Sequence, residues 1–369
     1  MRRLNSVGCI CPVLCILLSI CAGIETINGK VKIPAFFTFV DSIVDPGNNN
    51  FIPTIAKANH APYGQDFMGH EQNGRFSNGK LPTNFMHFSQ TSGLGVKEKI
   101  PPFLDPNLNS HELLTGVSFA SAGSGFDNLT SALFNSIPMW KQVELFKTYK
   151  ARLENLVGKE NSSNIIGEAI FLVVAGTNDF LLNYPFLPIR RTQFIVQQYQ
   201  EFVLEICSSF IQVKQISLRW IIPVEKTLHG ESKLNGCIEA INNISSSYNK
   251  KLKETLQELE ARLPGIKLEY ADIYENLLDM KKNPFLYGFE ISDRGCCGTG
   301  LLEVGPLCHV KTLITCSNTS KSVFWDSAHP TQATYQIIAD KLLRQYSKAA
   351  LRNNQNIYFQ SAINLCAIV

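Results

Sequence analysis

Apolar side chains, with one threonine among them, fill residues 35–40, and the chain then breaks into Asp41-Ser-Ile-Val-Asp-Pro-Gly-Asn-Asn-Asn50. A run of this kind suits a strand covered on both faces, as in a parallel sheet, and Pro46, Gly47 and three asparagines suit the turns beyond it. Ser42 therefore stands where a strand ends. Two further runs repeat the pattern. Residues 117–120 lead into Ser121-Ala-Gly-Ser-Gly125, and residues 170–175 lead into Gly176-Thr-Asn-Asp179. Each predicts a buried strand with a tight turn at its carboxyl end. Residues 215–222 and 266–272 supply a fourth and a fifth strand.

Between the strands the period changes. Ile137, Trp140, Val143, Phe146, Tyr149, Leu153 and Leu156 recur at three- and four-residue spacing and predict an amphipathic helix. Residues 192–211, a long stretch 238–263 closed by Pro264-Gly265, and 332–346 predict further helices. Strands alternating with helices at this spacing argue for an α/β fold with a parallel sheet and helices on both faces. Residues 63–82, rich in Gly, Asn and Pro, predict a long surface loop, and 284–319 an irregular segment. No repeat or low-complexity linker divides the chain, so one large domain is expected.

Composition narrows the class. The chain has 369 residues, of which 45% are hydrophobic and 18% charged, the balance of a soluble globular protein. A net charge of +3 without a dense Lys/Arg block excludes a nucleic-acid partner. Arg2 and Arg3 precede an apolar stretch over 9–20 and small residues at 21–23, the grammar of a signal peptide. The apolar stretch is shorter than the roughly 20 residues a membrane span needs, so the expectation is a secreted, extracellular protein without a stable membrane anchor. The boundaries expected are a signal peptide at 1–23, a single folded domain at 24–348 and a loosely held tail at 349–369.

Of 11 cysteines, Cys9, Cys11, Cys15 and Cys21 fall in or beside the signal, leaving Cys207, Cys237, Cys296, Cys297, Cys308, Cys316 and Cys366. In an oxidising compartment the cluster of four at 296–316 predicts disulfides, and it contains no Cys-x-x-Cys pair of the zinc type. Seven being odd, at least one thiol is free or paired between chains. Sequons at Asn128, Asn161, Asn243 and Asn318 fit a glycosylating pathway.

Hydrolysis through a serine needs a nucleophile, a base within hydrogen-bond reach, a carboxylate to orient the base, and donors for an oxyanion. Asp326 and His329 supply a carboxylate and an imidazole three residues apart in a turn-like segment. Taken in order, Phe-Val-Asp-Ser42, Phe119-Ala-Ser-Ala-Gly123, Gly176-Thr-Asn-Asp179 and Asp326-Ser-Ala-His329 resemble the GDSL esterase/lipase family of SGNH hydrolases, in its secreted plant branch. The resemblance extends through Asp45-Pro-Gly-Asn-Asn-Asn50, Gly74-Arg-Phe-Ser-Asn-Gly-Lys-Leu-Pro82, Cys296-Cys-Gly-Thr-Gly300, Glu303-Val-Gly305 and Phe324-Trp-Asp326.

The resemblance implies a three-layer α/β/α fold, SGNH hydrolase-like and flavodoxin-like, around a central, mainly parallel five-stranded sheet. It implies hydrolysis of carboxylic esters, lipid or small-molecule, through an acyl-serine, with neither a metal nor an organic cofactor. Ser42 is then the nucleophile, His329 the general base and later acid, and Asp326 the holder of the imidazole. The oxyanion hole falls to the backbone N–H of Ser42, that of Gly123 and the side chain of Asn178, with Gly125 the alternative glycine. Asp41 and Asp45 read as turn braces, and Asp179 as a brace of the Asn178 loop.

Two departures stand out. The family's Gly-Asp-Ser is Val40-Asp41-Ser42: a left-handed backbone at residue 40 strains a β-branched side chain, whereas an extended one costs nothing. The usual Gly-Leu-Pro-Pro-x-Gly-Cys type of loop is replaced by residues 219–229, in which Pro223 alone matches the proline pair and His229 reads as solvated. These departures keep open a catalytically weakened ester- or glycan-binding homologue, and the same acyl-serine keeps open an acyltransferase.

Overall fold

The computed structural model describes residues 33–86, 99–212, 220–221, 235–309, 314–352 and 367–368. The expected signal peptide, most of the 219–229 loop with His229, and Cys366 lie outside these.

The first apolar run forms β1 (Phe36–Val40) and the run at 170–175 forms β2 (Ile170–Val174), parallel and in register from Phe36 opposite Ile170 to Val40 opposite Val174. Both strands are buried along their whole length, which is why their sequences show no polar alternation. β3 (Trp220–Ile221) lies parallel on the far side of β2, inside the predicted fourth strand. On the free edge of β1 runs the predicted strand at 117–120. It pairs irregularly: Thr38 bridges Ser118, the Phe119 N–H donates to the Thr38 carbonyl at 2.8 Å, and the Ser121 N–H donates to the Val40 carbonyl at 2.8 Å.

Phe37 and Phe39 of β1 centre the core. Phe37 stacks on Phe171 at 4.8 Å and Phe39 on Phe119 at 5.0 Å, while Phe146 closes edge-on against Phe37 at 5.6 Å and Phe210 edge-on against Phe39 at 5.9 Å. Such offset and edge contacts suit the ring quadrupoles. Phe146 belongs to α1 (Met139–Val157) and Phe210 to α2 (Val196–Ile211). The inward stripe of α1 is Met139, Gln142, Val143, Phe146, Tyr149 and Leu153. Trp140 and Leu156, which the apolar spacing placed in that stripe, are exposed. Residue type misled here, because a buried position of the helix is occupied by a glutamine.

α3 (Asn235–Arg262) and α4 (Gln332–Arg352) are the remaining long helices among the described residues. Of the predicted fifth strand, Ala271–Asp272 forms β4 and pairs with residues 367–368 of the tail region, outside the β1–β2–β3 sheet. The segment read as irregular from 284 contains β5 (Ile291–Gly295), which runs parallel to β6 (Ser322–Phe324) with a shifted register. Its Ile-Ser-Asp-Arg-Gly sequence is half exposed and neither alternating nor apolar, so periodicity gave no sign of it. Two disulfides staple the connection: Cys296 to Cys316 and Cys297 to Cys308. Cys207 is a free, buried thiol, and burial pushes its pKa up. Among the described residues no helix is long and apolar enough to cross a membrane.

Candidate active site

Three turns converge at the carboxyl ends of β1, the 117–120 segment and β2, where a parallel sheet presents its crevice. In the first turn Val40 has φ +91°, so the open question of its backbone is decided on the strained side. A non-glycine residue in such a region costs on the order of 1–3 kcal/mol unless its surroundings impose it. Here they do: one buried side chain, Gln142, accepts the Val40 N–H at 2.8 Å and donates to its carbonyl at 3.1 Å.

Asp41 and Asp45 brace the turn, as their positions suggested. Asp41 accepts the Ile43 N–H at 3.1 Å, and its other carboxylate oxygen is buried without a hydrogen-bond partner. Asp45 accepts the Gly47 and Asn48 N–H groups at 2.8 and 2.7 Å and the Ala122 N–H at 3.0 Å, tying the first turn to the second. Burial raises the pKa of Asp41 well above the carboxylate range and pushes Asp45 up to about 6. Asn48 and Asn49, read as turn residues, also stitch these turns: their side-chain amides donate to the carbonyls of Ser118, Ala120 and Ala122.

In the second turn Gly123 has φ +84° and lines a cavity, with space for a Cβ already limited by Ser136 Oγ 2.9 Å away. Gly125 instead lies against Asp179, whose Oδ1 sits 2.4 Å from where a Cβ would stand. In the third turn Asn178 lines the same cavity and donates one amide hydrogen to the Ser124 carbonyl at 2.7 Å. Asp179 braces that turn by accepting from the Phe126 and Asp127 N–H groups at 2.8 and 3.1 Å and from Thr130 Oγ1 at 2.5 Å. Burial pushes its carboxyl up to about 7.

The fourth piece is the loop 325–331, closed by the Trp325 N–H donating to the His329 carbonyl at 2.7 Å and by a bridge between Phe324 and Pro330. Within it Asp326 Oδ1 accepts the Ala328 and His329 N–H groups at 2.8 and 2.6 Å, and both carboxylate oxygens reach His329 Nδ1, at 2.8 and 2.9 Å. His329 Nε2 lies 2.9 Å from Ser42 Oγ. Ser42 lies 287 residues before His329 in the sequence, and the fold brings it into one file with the His329–Asp326 pair. With Nδ1 against the carboxylate, the favoured neutral tautomer carries its proton there and leaves Nε2 free to accept from the serine.

One member was missed. Tyr63, fully buried, donates to Asp326 Oδ2 at 2.7 Å and accepts the Gly305 N–H at 2.7 Å. Burial first, and the adjacent Asp326 carboxylate second, push its phenol up. Only its place at the start of a glycine-rich loop marked it in sequence.

Ser42, Gly123, Asn178 and His329 face a cavity of about 290 Å³. Its other walls are chiefly apolar, including Ile55, Phe134, Leu181, Leu182 and Phe186 and, from the disulfide-stapled loop, Leu301, Leu302 and Val304. Ser42, Asn178 and His329 keep only 7–8% of their surface exposed. Among the described residues no cluster of three His, Cys, Asp or Glu side chains is placed to hold a metal ion. The four sequon asparagines, 128, 161, 243 and 318, are all exposed.

Residues 37–342 match the profile of the GDSL-like Lipase/Acylhydrolase family. The chain belongs to this family. Among curated GDSL proteins, the Arabidopsis thaliana GDSL esterase/lipase At2g42990 is 41% identical over 343 residues, spanning 90% of this chain and 95% of its own length. Two others from the same plant, GDSL esterase/lipases At2g04570 and At2g31550, are 40% and 41% identical, with 89% and 88% of this chain and 95% and 93% of theirs aligned. GDSL membership thus covers the three turns and the 325–331 loop alike.

Proposed function

We propose that the chain is a secreted serine esterase that cleaves carboxylic esters through an acyl-serine intermediate. Ser42 Oγ attacks the ester carbonyl while His329 Nε2 takes its proton, and Asp326 stabilises the imidazolium. The imidazolium then protonates the departing alkoxide, and a water activated by the same nitrogen releases the acid and frees Ser42. The N–H groups of Ser42 and Gly123 and the second amide hydrogen of Asn178 receive the oxyanion; donors of this kind are worth about 3–4 kcal/mol each in related chemistry. The apolar cavity suits an aliphatic acyl group. In the same reading the sheet is completed to five strands within three α/β/α layers, and Arg2, Arg3 and the apolar run behind them direct secretion, in keeping with the disulfides.

The observation that carries this reading is the file Asp326–His329–Ser42, with His329 Nε2 2.9 Å from Ser42 Oγ. A fluorophosphonate probe tests it: the wild-type protein becomes labelled near neutral pH and Ser42→Ala does not. A folded wild type that stays unlabelled overturns the proposal. A second reading, a slowed enzyme that chiefly binds its ester, is favoured by the strained backbone of Val40. A large gain in turnover for Val40→Gly would select it.

A further inference from the structure

Val40 lies two residues before Ser42, and its φ of +91° is one that valine does not adopt by itself. A glycine there would need no help. The hold on Val40 comes from α1, 102 residues further along the chain. Gln142 is wholly buried, and its amide meets both polar groups of the Val40 backbone: Oε1 accepts the N–H at 2.8 Å and Nε2 donates to the carbonyl at 3.1 Å. The second hydrogen of Nε2 goes to the Ile137 carbonyl at 3.0 Å. That third bond fixes which end of the amide is which, since a flipped amide would set its NH₂ against the Val40 N–H and its oxygen against two carbonyls. The Ser121 N–H completes the cage by donating to the Val40 carbonyl at 2.8 Å. A primary amide joins an acceptor and two donor hydrogens in one plane, as the three bonds here require, whereas a protonated carboxyl would have one hydrogen too few. An apolar residue, which the helix pattern would prefer here, would leave the Val40 N–H buried and without that acceptor.

We infer that Gln142 is a positioning residue: a two-point clamp that imposes the left-handed backbone on Val40 and so sets Ser42 Oγ within reach of His329 Nε2. The inference rests on Ser42 being the nucleophile, and its test keeps the two claims apart. Displacing a reacting atom by about 1 Å costs on the order of a hundredfold in rate. The clamp therefore predicts that Gln142→Met, similar in size but unable to bond at both points, lowers kcat about a hundredfold with KM changed less than about threefold. In a Val40→Gly background the same substitution lowers kcat less than about tenfold, because glycine holds the turn without the clamp.

The experiment takes the full-length chain as wild type, Gln142→Met, Val40→Gly and the double variant, and measures kcat and KM on a p-nitrophenyl ester, fluorophosphonate labelling rates and denaturant unfolding. Equal losses in the valine and glycine backgrounds overturn the clamp, as does an undiminished Gln142→Met. If no protein labels, the assignment of Ser42 fails, and unfolding still decides the clamp. A folding constant that drops at least tenfold further with valine than with glycine at residue 40 supports it, and equal drops overturn it.

Discussion

The turn of the proposed nucleophile Ser42 (the nucleophile turn) and the loop of the proposed base His329 (the base loop) are built on opposite plans. The base loop is fixed mainly from within: Asp326 accepts N–H groups two and three residues on and the loop closes on itself through Trp325 and His329, with the bonds from Tyr63 to Asp326 and from the Ser327 N–H to the Glu303 carbonyl as its longer ties. The nucleophile turn is held from afar, by Gln142 102 residues away and by the bond from Ala122, 77 residues away, to Asp45. Asp41 and Asp45 of this turn, like Asp179 of the third turn, are buried carboxyls pushed toward protonation. The lesson is that one half of the proposed catalytic file is fixed mainly within a short loop while the other half depends on contacts across the sheet. Loss of packing at α1 should disturb Ser42 well before it disturbs the His329–Asp326 pair.

The sharpest way to break this contrast is to attack the base loop from within. Asp326→Asn keeps the shape but inverts the hydrogen bond to Nδ1, favouring the wrong tautomer. It should lower kcat about 10³- to 10⁴-fold with little change in thermal midpoint. A loss below tenfold would show that the imidazole is held by something other than its near neighbour. A milder probe is Tyr63→Phe, which removes the distant hydrogen bond to Asp326 and the one from the Gly305 N–H and leaves the local ones. It should cost about 1–3 kcal/mol of stability, because the Gly305 N–H is left buried without its acceptor, and less than about tenfold in kcat, by denaturant titration and steady-state rates. A loss approaching that of Asp326→Asn would mean that the loop is not fixed mainly from within.

The smallest effect concerns charge. Asp45 and Asp179 have folded pKa values near 6 and 7, above their unfolded value of 3.8. The native state therefore keeps protons that the unfolded chain has released over this window, so the contribution of these two groups to stability is fully present below about pH 4 and is lost as pH rises through 6 to 7. Asp179→Asn should flatten the upper part of that decline, read as thermal midpoint against pH. An unchanged slope would place the titration elsewhere.

How far the sequence was legible follows the same division. β1 and β2 could be read because both faces of each strand are buried and apolar. Asp326 and His329 are singled out by a local three-residue spacing that gains its weight from the family resemblance, and the fold sets the two side chains together. The backbone of Val40 could not, since φ there is imposed by a contact across a hundred residues, and the glutamine making that contact interrupts the very periodicity that marks its helix. Tyr63 escaped for a like reason: its role lies in a hydrogen bond to a residue 263 positions away. β5 escaped because a short, half-exposed strand has no pattern to show.

The two disulfides have a consequence for when the site comes into being. Leu301, Leu302, Val304 and Gly305 all lie within the ring closed by Cys297 and Cys308, which sits inside the ring closed by Cys296 and Cys316. The sheet and its nucleophile turn require only the chain and water, but this wall of the cavity requires an oxidant as well. Closing this wall therefore adds a chemical step, the oxidation of four thiols, to the folding of the chain. A reductant would loosen not only the wall but also Gly305, whose N–H reaches Asp326 through the single oxygen of Tyr63.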